Sequence, residues 1–469
     1  MKKISNIARP VIAAVIAIGL AGGCSDLQDN LLEPQQPGVI TPEAAASPVG
    51  ADALRKGALG RLKDATEGGG AGGLWSMSGL LADEWKSGDT FIQRVETDQR
   101  IIQNNNVEVI DEFRAQHRAR GAARDALNAL LTYLPTPAYY QAQMWWVMGQ
   151  AELQLAENWC DGVPYSQAVD GEPAYAVGMT RLQALAMALA HLDSGAAKAT
   201  ATDTATVTTL RAINLARARV MVGQGNFTGA ATAVAGIPTT FRYLQSHSLT
   251  TADVAAWSLN NSQKRWVVGD SFDVSGRIAN AIPFASAADP RVPVQGQSLA
   301  STLNRAFDNS TWFVQQIIWG RSDAIPIYSG VDARLIEAEA ALRANNIGTG
   351  AGGMTAILNT LRGTAQYLGS TYNSPVMAAL PAPATQAAAA ALFFREKAFW
   401  QFARGYRLSD LRRMLLQYNG APYGYTEATV YPTGTFFKTN LPYGKFVAFP
   451  ITTDEDPNPN YASCDATIP

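Results

Sequence analysis

The sequence predicts an all-α-dominated fold of stacked helix hairpins packed with an irregular, loop-rich half. Three observations predict it. Apolar residues recur at helical spacing through ten segments of the chain. Those segments come in pairs, joined by short Gly-containing turns. Two other stretches, about 241–330 and 418–469, mix aromatic residues with Asn, Ser, Gly and Pro and show little period. The helical scaffold is therefore expected at about 49–240 and 331–418.

The elements follow in order. Segment 51–66 places Leu54, Ala58, Leu59 and Leu62 on one face. Segment 98–133 carries one long pattern through Arg118, Ala122, Ala126, Leu127, Leu130 and Leu131, and Pro135 ends it. In 141–158, Trp145, Met148, Ala151, Glu152 and Leu155 recur at helical spacing, so Trp145 and Trp146 are expected in the core. Segments 181–199, 209–221, 226–235, 331–344, 354–362, 386–402 and 406–417 complete the set. One turn is diagnostic: Gly225-Asn226-Phe227 with Ala230, closed by Pro238, resembles the hairpin turn of tetratricopeptide repeats. There a left-handed Gly ends one helix, an aromatic fills the groove, and a small Ala lets the helices approach. No full repeat period is visible, so the repeats are degenerate.

The N-terminus indicates the compartment. Lys2, Lys3 and Arg9 precede an apolar run from Val11 to Gly23, which is shorter than the roughly 20 residues of a spanning helix. Ala21-Gly22-Gly23-Cys24 resembles a bacterial lipobox, with its Leu at Leu20, one position early. Residues 1–23 thus read as a lipoprotein signal peptide and Cys24 as the lipid-bearing residue, carrying acyl chains such as palmitate. The alternative is a plain secretory signal with an incidental cysteine. Residues 24–48, dotted with Pro34, Pro37, Pro42 and Pro48, read as a tether, and 49–469 as one domain. Cleavage before Cys24 would leave 34 basic against 39 acidic residues, a net charge of −5. Cys160 and Cys464 remain, either as a disulfide pinning the C-terminal tail or as two unrelated buried thiols.

Composition excludes several functions. Charged residues are only 16% of the chain, with Lys+Arg 37 and Asp+Glu 39, so the basic stripe of a nucleic-acid binder is missing. Three isolated His and three Cys provide no metal-ligand spacing, and neither metal nor cofactor is expected. Gly348-x-Gly350-x-x-Gly353 follows a helix rather than a strand and reads as an interhelical loop. No Gly-x-Ser-x-Gly nucleophile elbow is present. Glu337 and Glu339 point to different helix faces, which argues against paired acid–base work. The chain reads as a binding protein rather than an enzyme.

Aromatic residues at breaks in the helical pattern supply candidate binding groups. Trp75, Trp85, Trp312 and Trp319 lie near Gly- or Asn-rich breaks, and Asp83 sits beside Glu84 and Trp85. Exposed, these rings would stack on flat apolar ligand faces while Asp83 met hydroxyls. Packed inward, each would merely pin its loop, and Asp83 would make a local structural contact.

Several motifs, in order, resemble the SusD/RagB family of outer-membrane nutrient-binding lipoproteins. After the lipobox come Ala151-Glu152-Leu153 through Trp159, Gly162 and Pro164, then Ala216 to Val220 with the 225–230 turn. Asp289-Pro290-Arg291 and the helix Arg334 to Ala340 follow. The most specific piece runs from Arg395 and Glu396 through Gly405 and Arg407 to Asp410-Leu411-Arg412-Arg413. Phe449-Pro450-Ile451 and Asn458-Pro459-Asn460 close the series. Ala403 and Thr452 depart from the family pattern. The resemblance implies a SusD-like fold with four degenerate tetratricopeptide units. It implies lipid-anchored residence at the outer-membrane surface and a TonB-dependent, SusC-like transporter as partner. It also implies capture of a glycan or peptide without turnover. A glycan is the expectation here. A peptide-binding member, or a lid subunit without its own ligand, is the alternative.

Overall fold

The computed structural model of the protein describes residues 45–68, 72–169, 172–250, 252–295, 304–369 and 372–469. The signal segment, Cys24 and nearly all of the tether lie outside the described residues. The helices are α1 (Pro48–Thr66), α2 (Leu74–Ala82), α3 (Ile92–Gln99), α4 (Val107–Tyr133), α5 (Tyr139–Asn158), α6 (Arg181–Lys198) and α7 (Thr204–Gly223). They continue as α8 (Phe227–Val234), α9 (Gly330–Arg343), α10 (Met354–Arg362), α11 (Gln386–Trp400), α12 (Arg407–Gln417) and the short α13 (Glu427–Val430).

Polar side chains begin these helices where the sequence has few charges to spare. Ser47 accepts from the Gly50 N–H, Asn106 from Glu108 and Val109, and Asp203 from Ala205 and Thr206. Thr180 and Gln183 form a reciprocal capping box at α6. Each such cap contributes about 1 kcal/mol. The helices then pack in chain order: α1 on α4, α4 on α5, α5 on α6, α6 on α7, α7 on α8, α8 on α9 and α9 on α10. At the predicted α7–α8 turn, Gly225 has φ +82°, Asn226 caps α8, and Phe227 and Ala230 are buried.

The single helix expected over 98–133 is two. Arg100 adopts φ 66° and ends α3, and Asn106 starts α4. The break has a long-range cause. The Arg100 guanidinium donates to the carbonyls of Phe446 (2.9 Å) and Pro432 (3.0 Å) and to Glu427 (2.6 Å), more than 300 residues away. Helical periodicity carries no record of such a contact. Helix α2 was also missed, because its residues are apolar and buried all round.

Among the described residues, 241–329 hold no α-helix, only a π-helical turn (Trp257–Ser262) and short strands. Every sheet among them is two-stranded. One ribbon joins the halves: Trp85–Ser87 pairs antiparallel with Trp266–Val268, with Lys86 opposite Val267. A second, Arg242–Gln245 with Ile325–Ser329, leads directly into α9. One buried apolar cluster from Ala51 to Ala466 underlies both halves.

Buried ion pairs knit the motif residues together. Arg291 reaches Glu396 (2.7 Å), and Arg362 meets the same carboxylate (3.0 Å). Arg404 pairs with Asp332 (2.8 Å), Arg413 with Glu339 (2.6 Å), and Lys397 with Asp410 (2.6 Å). Arg219 holds Glu157 through two bonds of 3.0 and 2.5 Å. Removing either partner of such a pair strands a buried charge, at about 3–5 kcal/mol. The recognisable motifs are therefore scaffold, not ligand machinery. Cys160 and Cys464 form a disulfide, with Cα atoms 6.0 Å apart, that fastens the C-terminal tail beside the end of α5.

Candidate functional site

Most of the aromatic residues singled out by sequence point inward. Trp75 is 2% exposed, Trp85 1% and Trp319 3%. Trp85 packs against Phe402, with ring centroids 5.1 Å apart. Trp319 donates its indole N–H to the Leu368 carbonyl at 3.2 Å. Asp83 is buried as well, accepting two bonds from Arg407 (2.8 and 3.1 Å) and one from the Ile282 N–H (2.9 Å). These four belong to the support beneath the surface and present no ring or carboxylate to a ligand. The reason is tertiary: the breaks that seemed to expose them are covered by the segments around 282, 368 and 402. Glu84 lies with them. Burial pushes its carboxyl up to about 8, despite the Ala403 N–H it accepts.

Trp312 is the exception. It is half-buried and pairs across a hairpin with Arg305. Arg305 and Trp312, opposite each other in this bridge, share a face, and Phe307 begins the turn that joins them. Phe307 is 47% exposed, and Phe91, beside it, is 46% exposed. The Arg265 guanidinium lies between these two rings, 3.9 Å from the Phe307 centroid and 4.7 Å from that of Phe91. Two large, half-exposed aromatic rings packed on one cation form an amphipathic surface.

Buried charge holds this face in place. Asp89, fully buried, accepts from Arg265 (2.5 Å) on one oxygen and from Arg94 (2.7 Å) on the other. The Phe307 N–H donates to the Lys264 carbonyl (3.0 Å), and the Asp308 N–H to the Gly88 carbonyl (2.9 Å). Lys438 bridges the Asp308 carboxylate (2.6 Å) and the Asp89 carbonyl (2.9 Å). Burial raises the Asp308 carboxyl, but Lys438 and Thr311 outweigh it and leave the group below its ordinary range. Rings mounted on a fixed ladder lose little freedom when a ligand stacks on them.

Trp312 lines a small cleft of its own with Phe272, Phe437 and Val274. Lys86 lies at its base and donates to the Phe272 carbonyl. Burial lowers the Lys86 ammonium, while Asp273, Asp270 and Asp98 oppose that shift. One carboxylate oxygen each of Asp270 and Asp273 is buried without a hydrogen-bond partner.

Sequence reasoning missed Phe91, Arg265 and Phe307. A signal existed: Phe91 follows Gly88-Asp89-Thr90, and Phe307 precedes Asp308-Asn309-Ser310, so each aromatic flanks a polar turn. Trp146 is core as expected, but Trp145 is only partly buried and lines a groove along α4. That groove, of about 990 Å³, is larger than the cleft at Trp312, and helices α1, α4 and α5 form most of it. Stacking on flat ligand faces favours the aromatic face over volume alone. No three His, Cys, Asp or Glu among the described residues are placed to hold a metal ion. No described helix is long and apolar enough to cross a membrane.

No protein-family model matches the sequence, and no curated protein sequence matches it. Solved structures do match. A SusD superfamily protein from Bacteroides vulgatus aligns with TM-score 0.60 at 16% identity, covering 90% of this chain and 99% of its own. A SusD-like carbohydrate-binding protein from Bacteroides fragilis aligns with TM-score 0.60 at 12% identity, covering 89% and 99%. A SusD-like protein described as laminarin-binding aligns with TM-score 0.56 at 11% identity, again covering 89% and 99%. Near-complete coverage in both directions, over helices and irregular half alike, gives this chain the fold of the SusD superfamily.

Proposed function

We propose that the protein is a non-catalytic member of the SusD/RagB family that captures a glycan on the face built by Phe91, Arg265, Phe307 and Trp312. The observation that carries this reading is the pair of exposed rings held either side of Arg265 on a charge-locked ladder. Stacking would bind sugar ring faces, and Arg265 and Arg305 would donate to hydroxyls. The carbohydrate-binding descriptions of structural relatives support the ligand class. Residues 1–23 serve as a signal, Cys24 carries lipid, 24–48 act as the tether and 49–469 form the folded body. Lipid anchoring holds the protein on the outer membrane, where it passes its glycan to a TonB-dependent transporter.

The test is affinity measurement against a panel of neutral polysaccharides, using wild type and Phe91→Ala, Phe307→Ala and Trp312→Ala. One or more polysaccharides should bind, and removing a central ring should weaken binding about tenfold or more. Melting temperatures should stay close to wild type, because these rings are not core. Unchanged affinity in all three variants would remove this face as the site. A gentle detergent pull-down of the tagged protein from its native membrane tests the partner. A stoichiometric β-barrel receptor supports delivery, and recovery of the protein alone, with other complexes intact, counts against it.

A further inference from the structure

The groove along α4 has a chemistry the aromatic face lacks. Arg61 of α1 and Arg114, Arg118, Arg120 and Arg124 of α4 line it, against three carboxylates, Asp125, Asp454 and Glu455. This surplus of cations stands out in a chain of formal net charge −2. Arg114 and Arg118, and Arg120 and Arg124, are spaced four apart, so helical geometry sets them as two short rows, roughly 120° apart around α4.

Three of these arginines are engaged: Arg114 with Asp454 (2.6 Å), Arg120 with Glu152 (2.8 Å) and Arg124 with Asp125 (3.0 Å). Arg61 and Arg118 are exposed and, among the described residues, make no hydrogen bond or ion pair. The walls are apolar and aromatic, with Phe113, Met148 and Trp145, whose ring lies 5.4 Å from that of His191. His117 also lines the groove, and its Nε2 has no partner.

A neutral ligand gains nothing special from a row of guanidinium groups. A carboxylate or sulfate does, because the planar fork matches paired oxygens and the charge is permanent. An aromatic wall beside the cations takes a sugar ring face. The volume of about 990 Å³ is at the upper end for small-ligand pockets and suits an oligomer. We infer that this groove is a second ligand site, binding the anionic units, carboxylated or sulfated, of an oligosaccharide. The inference rests on the reading of the protein as glycan-binding.

Calorimetry with four probes tests it: polygalacturonate oligomers, a sulfated heparin-type oligosaccharide, a neutral β-glucan and polyglutamate. Wild type is compared with the double variant Arg61→Ala/Arg118→Ala and with Phe307→Ala. Both arginines are exposed and unpaired, so the double variant should melt as wild type does. At least one anionic glycan should bind, about tenfold or more weakly in the double variant. Added salt should weaken it further. Which anionic probe binds separates carboxylate from sulfate recognition. Failure of both anionic glycans, equal affinity in the double variant, or equally tight polyglutamate binding would overturn the inference. Neutral-glycan binding lost in Phe307→Ala would then still uphold the aromatic face, whereas silence from every glycan would sink both.

Discussion

A Cβ at Gly405 would lie 2.1 Å from Cδ1 of Trp75, and Gly405 itself has φ +69°. The glycine of the 395–413 motif is thus required twice, once for its backbone conformation and once for the indole that presses on it. Its carbonyl also accepts from Arg219 at 2.9 Å. Trp75 is therefore a core residue whose partner is a backbone, and the motif marks that contact.

Gly405→Ala should destabilise the fold by about 2–4 kcal/mol, combining left-handed strain with overpacking. Urea unfolding measures it. A variant as stable as wild type would show that Trp75 moves aside freely, against the packing described here.

Asp83→Asn removes the charge that pairs with buried Arg407. The expected loss is about 3–5 kcal/mol of stability. Glycan affinity of the folded variant, measured at low temperature, should match wild type. A large affinity loss without a stability loss would return Asp83 to the binding site.

Glu84 makes stability depend on pH. In the unfolded chain its carboxyl ionises near pH 4.3, roughly the free value. In the folded protein burial pushes it up to about 8. Between those values the folded state holds a proton that the unfolded state has released. Stability is thus fully present below about pH 4 and falls as pH rises towards about 8, by up to about 1.4 kcal/mol per pH unit. Asp98, raised to about 7 chiefly by burial, adds in the same direction. Glu84→Gln mimics the protonated group, so unfolding curves at pH 5 and pH 8 should differ less in the variant. Equal differences in both proteins would refute a buried, proton-holding Glu84.

Cys464→Ser opens a loop whose ends are 304 residues apart in sequence. The expected cost is about 2–5 kcal/mol, seen as a lower melting temperature in non-reducing buffer. Reduction of wild type should reproduce the shift. No change on either treatment would mean that the tail stays docked through its other contacts alone.

Much of the fold was legible because helices announce themselves locally. The period through Leu54, Ala58 and Leu62 and the turn at Gly225-Asn226 each depend on residues within a few positions of one another. The motif 395–413 was equally legible, though its meaning was not: Glu396, Asp410 and Arg413 serve ion pairs with Arg291, Lys397 and Glu339. The break at Arg100 was invisible, since its partners Glu427, Pro432 and Phe446 lie in the last tenth of the chain.

The sequence by itself determined the helical scaffold, the irregular half and the SusD-like order of motifs, because period, caps and turn residues act over one or two turns of chain. Only the tertiary structure decided which aromatic rings meet solvent. Trp75, Trp85 and Trp319 are as apolar as Phe91 and Phe307, and the polar turns beside the latter two hint at exposure without deciding it. Exposure is set by what folds over a residue from elsewhere: Gly405 covers Trp75 and Phe402 covers Trp85, whereas Phe91 and Phe307 pack on Arg265 and keep nearly half their surface in solvent.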